Sequence, residues 1–217
     1  MKKAILFGSS GLVGSNLLKE LLDSPRYEKV SVVVRKDLGI EHPKLKILIG
    51  DYHSLLSIQA DFDADDVFIT LGTTKKATPD KDEYYRVDHD YPLLAAKIAL
   101  EQGAKSVLVV TAVGADLNST VFYIKTKGET ERDIIALNFD HTHIFRPSMI
   151  LGNREESRPL EKILSKIWPV IKPIFIGKLN RFKGIKASDI AKSMIGAAGK
   201  RSGKVNIYHW AEMNAML

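Results

Sequence analysis

Five short runs, AILFG (4–8), VSVVV (30–34), LKILI (45–49), DVFITL (66–71) and SVLVVT (106–111), are apolar almost without interruption and rich in Val and Ile. A strand with one wet face alternates apolar and polar residues. A run apolar throughout needs cover on both faces, which in sheets means parallel strands wrapped by helices. Helical patterns lie between the runs. LVGSNLLKELLDS carries Leu12, Leu17, Leu18, Leu21 and Leu22 along one stripe, and PLLAAKIALEQGA ends at Gly103, where a glycine can stop a helix. Strand–helix alternation with right-handed crossovers predicts an α/β chain with a doubly wound parallel sheet in three α/β/α layers.

After a sixth predicted strand in HTHIFRPS (141–148) the pattern changes. PLEKILSKIWPVIKPIFIG sets Leu160, Ile163, Leu164, Ile167, Trp168 and Ile171 at helical spacing, with Lys162 and Lys166 opposite and Pro169 kinking the end. This basic amphipathic helix suits a lid packed on the chain's own core, or a membrane surface. A helix (ASDIAKSMIGAAGK), a short strand (KVNIY) and a closing helical turn or two in HWAEMNAML follow. With 217 residues, no repeat and no linker, the expectation is one domain, 1–217, in which 148–217 forms a small substrate or lid region.

Charge is uneven. Residues 158–204 hold twelve Lys or Arg against Glu161 and Asp189, a net +10 in a chain of net +6, so the remainder carries −4. Such a segment attracts an anionic partner, unless it is simply a solvated lysine-rich face. Nucleic acid is disfavoured, because no reader motif accompanies the charge. No apolar run approaches the roughly 20 residues that cross a bilayer, and the opening turns into a glycine loop too early for a signal peptide. The expected location is the cytoplasm, with peripheral membrane contact as an option. The chain has no cysteine, so its chemistry rests on oxygen and nitrogen groups.

GSSGLVG follows the first strand and opens the first helix. Gly8 permits the tight turn, Gly11 close approach of backbone to a pyrophosphate, and Gly14 close helix–strand packing; the helix N-terminus favours the phosphate charge. The fold so predicted is a Rossmann fold, with Gly8, Ser10, Gly11, Leu12, Val13 and Gly14 on a dinucleotide. The second strand ends VVVRKDLG. Arg35 and Lys36 there suit the 2′-phosphate of NADP(H), which is favoured, while Asp37 keeps NAD(H) open. Asp51, after the third strand, is placed to reach the adenine amino group. Leu71, Gly72 and Thr73 stand at the end of the fourth strand, on the edge where such sheets bind ligands.

Tyr123 and Lys127 are four apart in FYIKTKGETERDIIAL, which puts them on one face of a predicted helix. A phenol exchanges protons poorly at neutral pH unless its anion is stabilised, and an adjacent ammonium does this. The pair can therefore pass a proton to or from a substrate oxygen while hydride moves. Together with the glycine loop and the Arg146-Pro147 after the sixth strand, these residues resemble the short-chain dehydrogenase/reductase superfamily over essentially the whole chain. VTAVGAD, YIKTKGETE, VDHDYP (87–92) and IFRPSMILGNR resemble more narrowly its small atypical branch of Tat-interacting-protein-like oxidoreductases, often labelled nucleoside-diphosphate-sugar epimerase-like. The resemblance implies Tyr123 as proton donor and acceptor, Lys127 on the nicotinamide ribose and Pro147 near the carboxamide. It supplies no substrate.

One position departs from the superfamily. A Ser or Thr hydroxyl normally follows the fifth strand; here that position is Ala112, with Thr111 one residue early. Thr111, or else Ser119 or Thr120 about a turn before Tyr123, is the candidate replacement. Asp88-His89-Asp90 and the His141/His143 pair have metal-like chemistry but no known ligand motif, and no metal is expected. The function expected is an NADP(H)-dependent oxidoreductase on a small carbonyl or alcohol. A catalytically weak cofactor-binding regulator is the alternative. A sugar-nucleotide epimerase fits less well, since only about 70 residues follow the sixth strand.

Overall fold

The computed structural model describes residues 1–152, 177–200 and 203–217. Each predicted strand forms: β1 (Lys2–Phe7), β2 (Tyr27–Val34), β3 (Leu45–Ile49), β4 (Asp66–Ile69), β5 (Ser106–Val110) and β6 (His141–Phe145). A two-residue pair, β7 (Ile150–Leu151) with β8 (Ile185–Lys186), stands apart, and β9 (Val205–Tyr208) completes the main sheet. That sheet is parallel throughout, in the order β3-β2-β1-β4-β5-β6-β9.

The apolar runs are continuous because successive side chains serve two cores. Ala4 and Leu6 of β1, with Leu108 and Val110 of β5, pack under α1 (Leu12–Asp23) and a helix at Ala187–Ala198. Ile5 and Phe7, with Val107 and Val109, face the other way, under α3 (Tyr91–Glu101) and Ile134 of α4 (Phe122–Ala136). The sheet is thus covered on both sides, the three-layer Rossmann arrangement the sequence predicts. Trp210–Asn214 forms the closing turn of helix. The basic amphipathic stretch lies, up to its last residue, outside the described residues.

One helical segment has no counterpart in the periodicity. α2 (Lys81–Tyr85), capped by Asp80 accepting from the Glu83 N–H, runs through a wider π turn at Arg86–Asp90 into α3. There the Tyr91 N–H reaches back to the Arg86 carbonyl. Such turns are rare and collect at functional sites.

A buried histidine gives the fold a pH dependence. His143 on β6 is 1% exposed, with Nδ1 2.9 Å from the Tyr208 hydroxyl. Burial, then His141 beside it, pushes its imidazolium down from 6.5 to about 4, against a weaker pull from Asp66. The unfolded chain therefore binds the proton more readily. This contribution to stability is complete above about 6.5 and is lost as pH falls toward about 4, at most roughly 3 kcal/mol. Urea midpoints measured from pH 7 to 4 should fall through this window, and His143→Gln should flatten the fall. An unchanged slope in the variant would assign it to other groups.

Candidate functional site

β1 and β4 are neighbours whose connections leave in opposite directions, so the sheet has its switch point between them. A cleft of about 460 Å³ opens at the C-terminal strand ends there. Its walls come from Gly11–Val13, from Thr70–Thr74 after β4, from Val110 and Thr111, from Asp88, Tyr123 and Lys127, and from Ser148–Ile150. The glycine loop is shaped by contacts that a side chain would block. Gly8 has φ +90°, and a Cβ on it would meet the Thr70 backbone at 2.8 Å; a Cβ on Gly14 would lie 2.0 Å from the Gly8 carbonyl oxygen. The Thr70 hydroxyl donates toward the Phe7 and Gly8 carbonyls at 3.1 and 3.2 Å, tying the loop to β4. Gly11 caps α1 without a side chain, and no acid occupies the first turn, so the positive end of the helix is unopposed.

α4 brings the Tyr–Lys pair to the cleft. Tyr123, in the first turn, is 40% exposed, whereas Lys127, one turn deeper, is 4% exposed. Asp88, 1% exposed, meets Lys127 in the cleft wall. Its Oδ1 lies 2.5 Å from Lys127 Nζ, and its Oδ2 accepts the Thr73 N–H at 2.8 Å. Asp88 sits in the π turn, and its main-chain carbonyl lies 2.9 Å from the Thr130 hydroxyl of α4, which also reaches the Thr126 carbonyl at 2.8 Å. His89, the next residue, points away from the cleft, its two ring nitrogens 2.8 Å from Asp90 and 2.9 Å from Asp133. Asp88 is the residue that the sequence reading missed. Its signal was VDHDYP, where three polar residues side by side read as a metal-like cluster; the structure sends Asp88 and His89 to different partners. Tyr84 also lines the cleft, and burial, followed by the Asp88 charge and Tyr123, pushes its phenol well up from 10.0.

Thr111 also reaches the cleft, but its hydroxyl donates to Glu131 Oε1 at 2.6 Å. Glu131, 4% exposed and one turn beyond Lys127, is ion-paired with Arg146 at the end of β6. Ala112 is buried beside Thr111 and offers no hydroxyl. The Ser119 hydroxyl oxygen accepts the Val121 N–H at 3.1 Å, and neither Ser119 nor Thr120 is among the cleft-lining residues. Pro147 is buried just past Arg146, its carbonyl accepting from the Val113 N–H at 2.9 Å.

The residues predicted for the adenosine end stand to one side of this cleft. Arg35 and Lys36 are exposed just past the tip of β2. The Asp37 carboxylate accepts from its own turn, the Gly39 N–H at 2.9 Å. Asp51 is likewise drawn into its loop; hydrogen bonds from the Ser54 hydroxyl and N–H and from the His53 N–H hold its carboxyl below the usual range. Exposed Ser10 forms the outer side of the glycine loop.

No protein-family model matches the chain. It is 38% identical over 153 residues to "Protein FMP52, mitochondrial" of Candida glabrata, spanning 70% of this chain and 66% of that one. Against the protein of that name from Candida albicans it is 35% identical over 201 residues, 90% and 87% of the two chains. "Protein HTATIP2" of Rattus norvegicus is 34% identical over 171 residues, 77% of this chain and 70% of that one. Among solved structures, MoeE5 in complex with UDP-glucose and NAD superposes with a TM-score of 0.71 at 20% identity, over 94% of this chain and 74% of that one. WbmH of Bordetella bronchiseptica in complex with NAD+ gives 0.69 at 19%, over 96% and 75%. At these identities the structures speak to the fold, and they share the Rossmann-like sheet. No helix among the described residues is long and apolar enough to cross a membrane.

The loop geometry gives a differential test. Gly14→Ala forces a methyl group into the Gly8 carbonyl and should lower the unfolding free energy by about 1–3 kcal/mol. Gly11→Ala, whose Cβ would stand 3.3 Å from the same oxygen, should cost clearly less. Urea denaturation of the two variants compares them, and equal losses would contradict the packing argument.

Proposed function

Because this chain belongs to the family of the FMP52 and HTATIP2 proteins, an atypical branch of the short-chain dehydrogenases/reductases, we propose that it is an NADP(H)-dependent oxidoreductase acting on a small carbonyl or alcohol. The observation that carries this reading is the shared cleft: Tyr123 and Lys127 open onto the same space as the glycine loop and the N-terminus of α1. The residues fit a dinucleotide. The uncapped, acid-free start of α1 suits a pyrophosphate. Gly72 keeps open the space before Lys127 and Asp88, where its Cβ would stand 3.8 and 3.7 Å from their polar atoms. Ser148, Met149 and Ile150 line the cleft's far side, which supports a single domain whose segment 148–217 contributes to the substrate or lid region.

The dinucleotide, when bound, supplies or accepts the hydride. Tyr123 passes a proton to the carbonyl oxygen, or takes one from the alcohol. Lys127 stabilises the phenolate by its charge, and by resemblance to the superfamily it holds the nicotinamide ribose. Arg35 and Lys36 favour a 2′-phosphate, and the engagement of Asp37 with its own turn supports that choice over NAD(H). The solved neighbours with NAD keep NAD(H) as the competing cofactor. One observation favours a second reading, a dinucleotide-binding regulator with weak turnover: Ala112 lacks the hydroxyl, and that of Thr111 is spent on Glu131. The yeast relatives are named as mitochondrial, so the compartment to test is that organelle against the cytoplasm.

Tyr123→Phe should lower turnover of a carbonyl panel by on the order of 100-fold or more, with NADPH affinity kept. Turnover that survives the change would remove Tyr123 from the chemistry. Arg35→Ala, followed by cofactor fluorescence, should weaken NADPH roughly tenfold or more and NADH little. Equal weakening would count against NADP(H).

A further inference from the structure

Two helical runs contribute to the cleft with the same spacing. On α4, Tyr123 and Lys127 are four residues apart; on the run from α2 into the π turn, Tyr84 and Asp88 are four apart, and all of these line the cleft. Asp88 pairs with Lys127. Tyr84 stands with Tyr123: burial, then the Asp88 charge and Tyr123, push its phenol well up from 10.0, and no hydrogen bond is among these causes. The two groups that act on the phenol oxygen are both cleft residues, which puts the hydroxyl end of the ring on that side.

The rest of the ring is held. Tyr84 is 7% exposed and packs edge-on against Phe122, the residue before Tyr123, with ring centroids 5.7 Å apart. A donor fixed in this way is oriented before a substrate arrives. Its carboxylate neighbour disfavours the phenolate, so Tyr84 keeps its hydrogen and is suited to donating a hydrogen bond without giving up the proton. The strand end after β5 supplies no such donor, since Ala112 has no hydroxyl and the Thr111 hydrogen goes to Glu131.

We propose that Tyr84 is a catalytic residue whose hydroxyl donates a hydrogen bond to the substrate carbonyl oxygen beside Tyr123, in place of a hydroxyl after β5. This rests on the oxidoreductase reading above. No bond within Tyr84 breaks. The proton that reaches the oxygen comes from Tyr123, the hydride that reaches the carbon comes from the dinucleotide, and Tyr84 stabilises the negative charge that develops on the oxygen.

The test joins a rate to a spectroscopic reading of the carbonyl itself. Tyr84→Phe keeps the ring against Phe122, so NADPH affinity should stay within about twofold while kcat for the best carbonyl substrate of the panel falls on the order of 100-fold. With NADP+, which cannot reduce it, bound acetophenone should show a C=O infrared stretch lower in wild type than in Tyr84→Phe, because a donated hydrogen bond weakens that bond. An unchanged kcat or an unchanged stretch would overturn the proposal, as would equal losses of rate and NADPH affinity, which would mean damage to the fold. Should Tyr84→Phe fail to fold, Tyr123→Phe decides: with Tyr84 still donating, the stretch should stay below its value in hexane, and a stretch equal to that value overturns the contact. Wild type that reduces no carbonyl of the panel would sink the proposed function itself. Turnover that is indifferent to Tyr84 would sink this inference alone.

Discussion

The missing side chain at Gly14 is the constraint on which the site depends. With hydrogen there, the first turn of α1 lies against the Gly8 carbonyl, and the helix N-terminus is held at the end of β1. Thr70 then ties the same carbonyl to β4, across the position where the sheet reverses its winding. Both faces of the sheet are filled by apolar side chains, so polar chemistry gathers at the strand ends. The cleft sits at the C-terminal edge because the loop, the switch point and the helix dipole all act there.

α4 is the ruler for the rest. Tyr123, Lys127 and Glu131 follow one another at single-turn spacing, and each meets a different element: the cleft, Asp88 of the π turn, and Arg146 at the end of β6. The two inner members are buried ion pairs. Such pairs add little net stability over an apolar filling, but leaving one partner alone costs about 3–5 kcal/mol. Their effect is on register: α4 cannot slide without stranding a charge. Thr130 on the Asp88 carbonyl and Asp133 on His89 fasten the same helix to the same turn, so Asp88 and Lys127 are placed by several contacts besides their own.

The sheet and its order of elements were legible because a strand buried on both faces has a signature of its own. Val30 to Val34 and Val107 to Val110 read as parallel strands before any partner is known. The glycine loop and the Tyr–Lys pair were legible for a related reason: each depends on local spacing. What was not legible depends on long-range pairing. Asp88 looks the same in sequence whether it faces water or a lysine 39 positions on, and the π turn that aims it breaks the 3.6-residue period used to read helices. The role of Glu131 was hidden likewise, because a glutamate in a charged helix reads as solvated until Arg146 and Thr111 are placed around it.

Thr111 shows why binding and turnover need not go together in this chain. A hydroxyl has one hydrogen, and that of Thr111 goes to a buried carboxylate at 2.6 Å, a charge-assisted bond stronger than one to a neutral substrate oxygen. Its lone pairs can accept, but the developing charge on a carbonyl oxygen needs a donor. With that hydrogen committed, proton transfer in the proposed reaction rests on Tyr123, and losing one oriented donor commonly costs 100-fold or more in rate. The glycine loop, the start of α1 and Lys127 meet in one cleft independently of that hydroxyl. Selection for binding alone would keep those groups and tolerate Ala112, whereas selection for fast turnover would favour a substrate carbonyl activated enough to react with a single donor, or a second donor from another wall of the cleft.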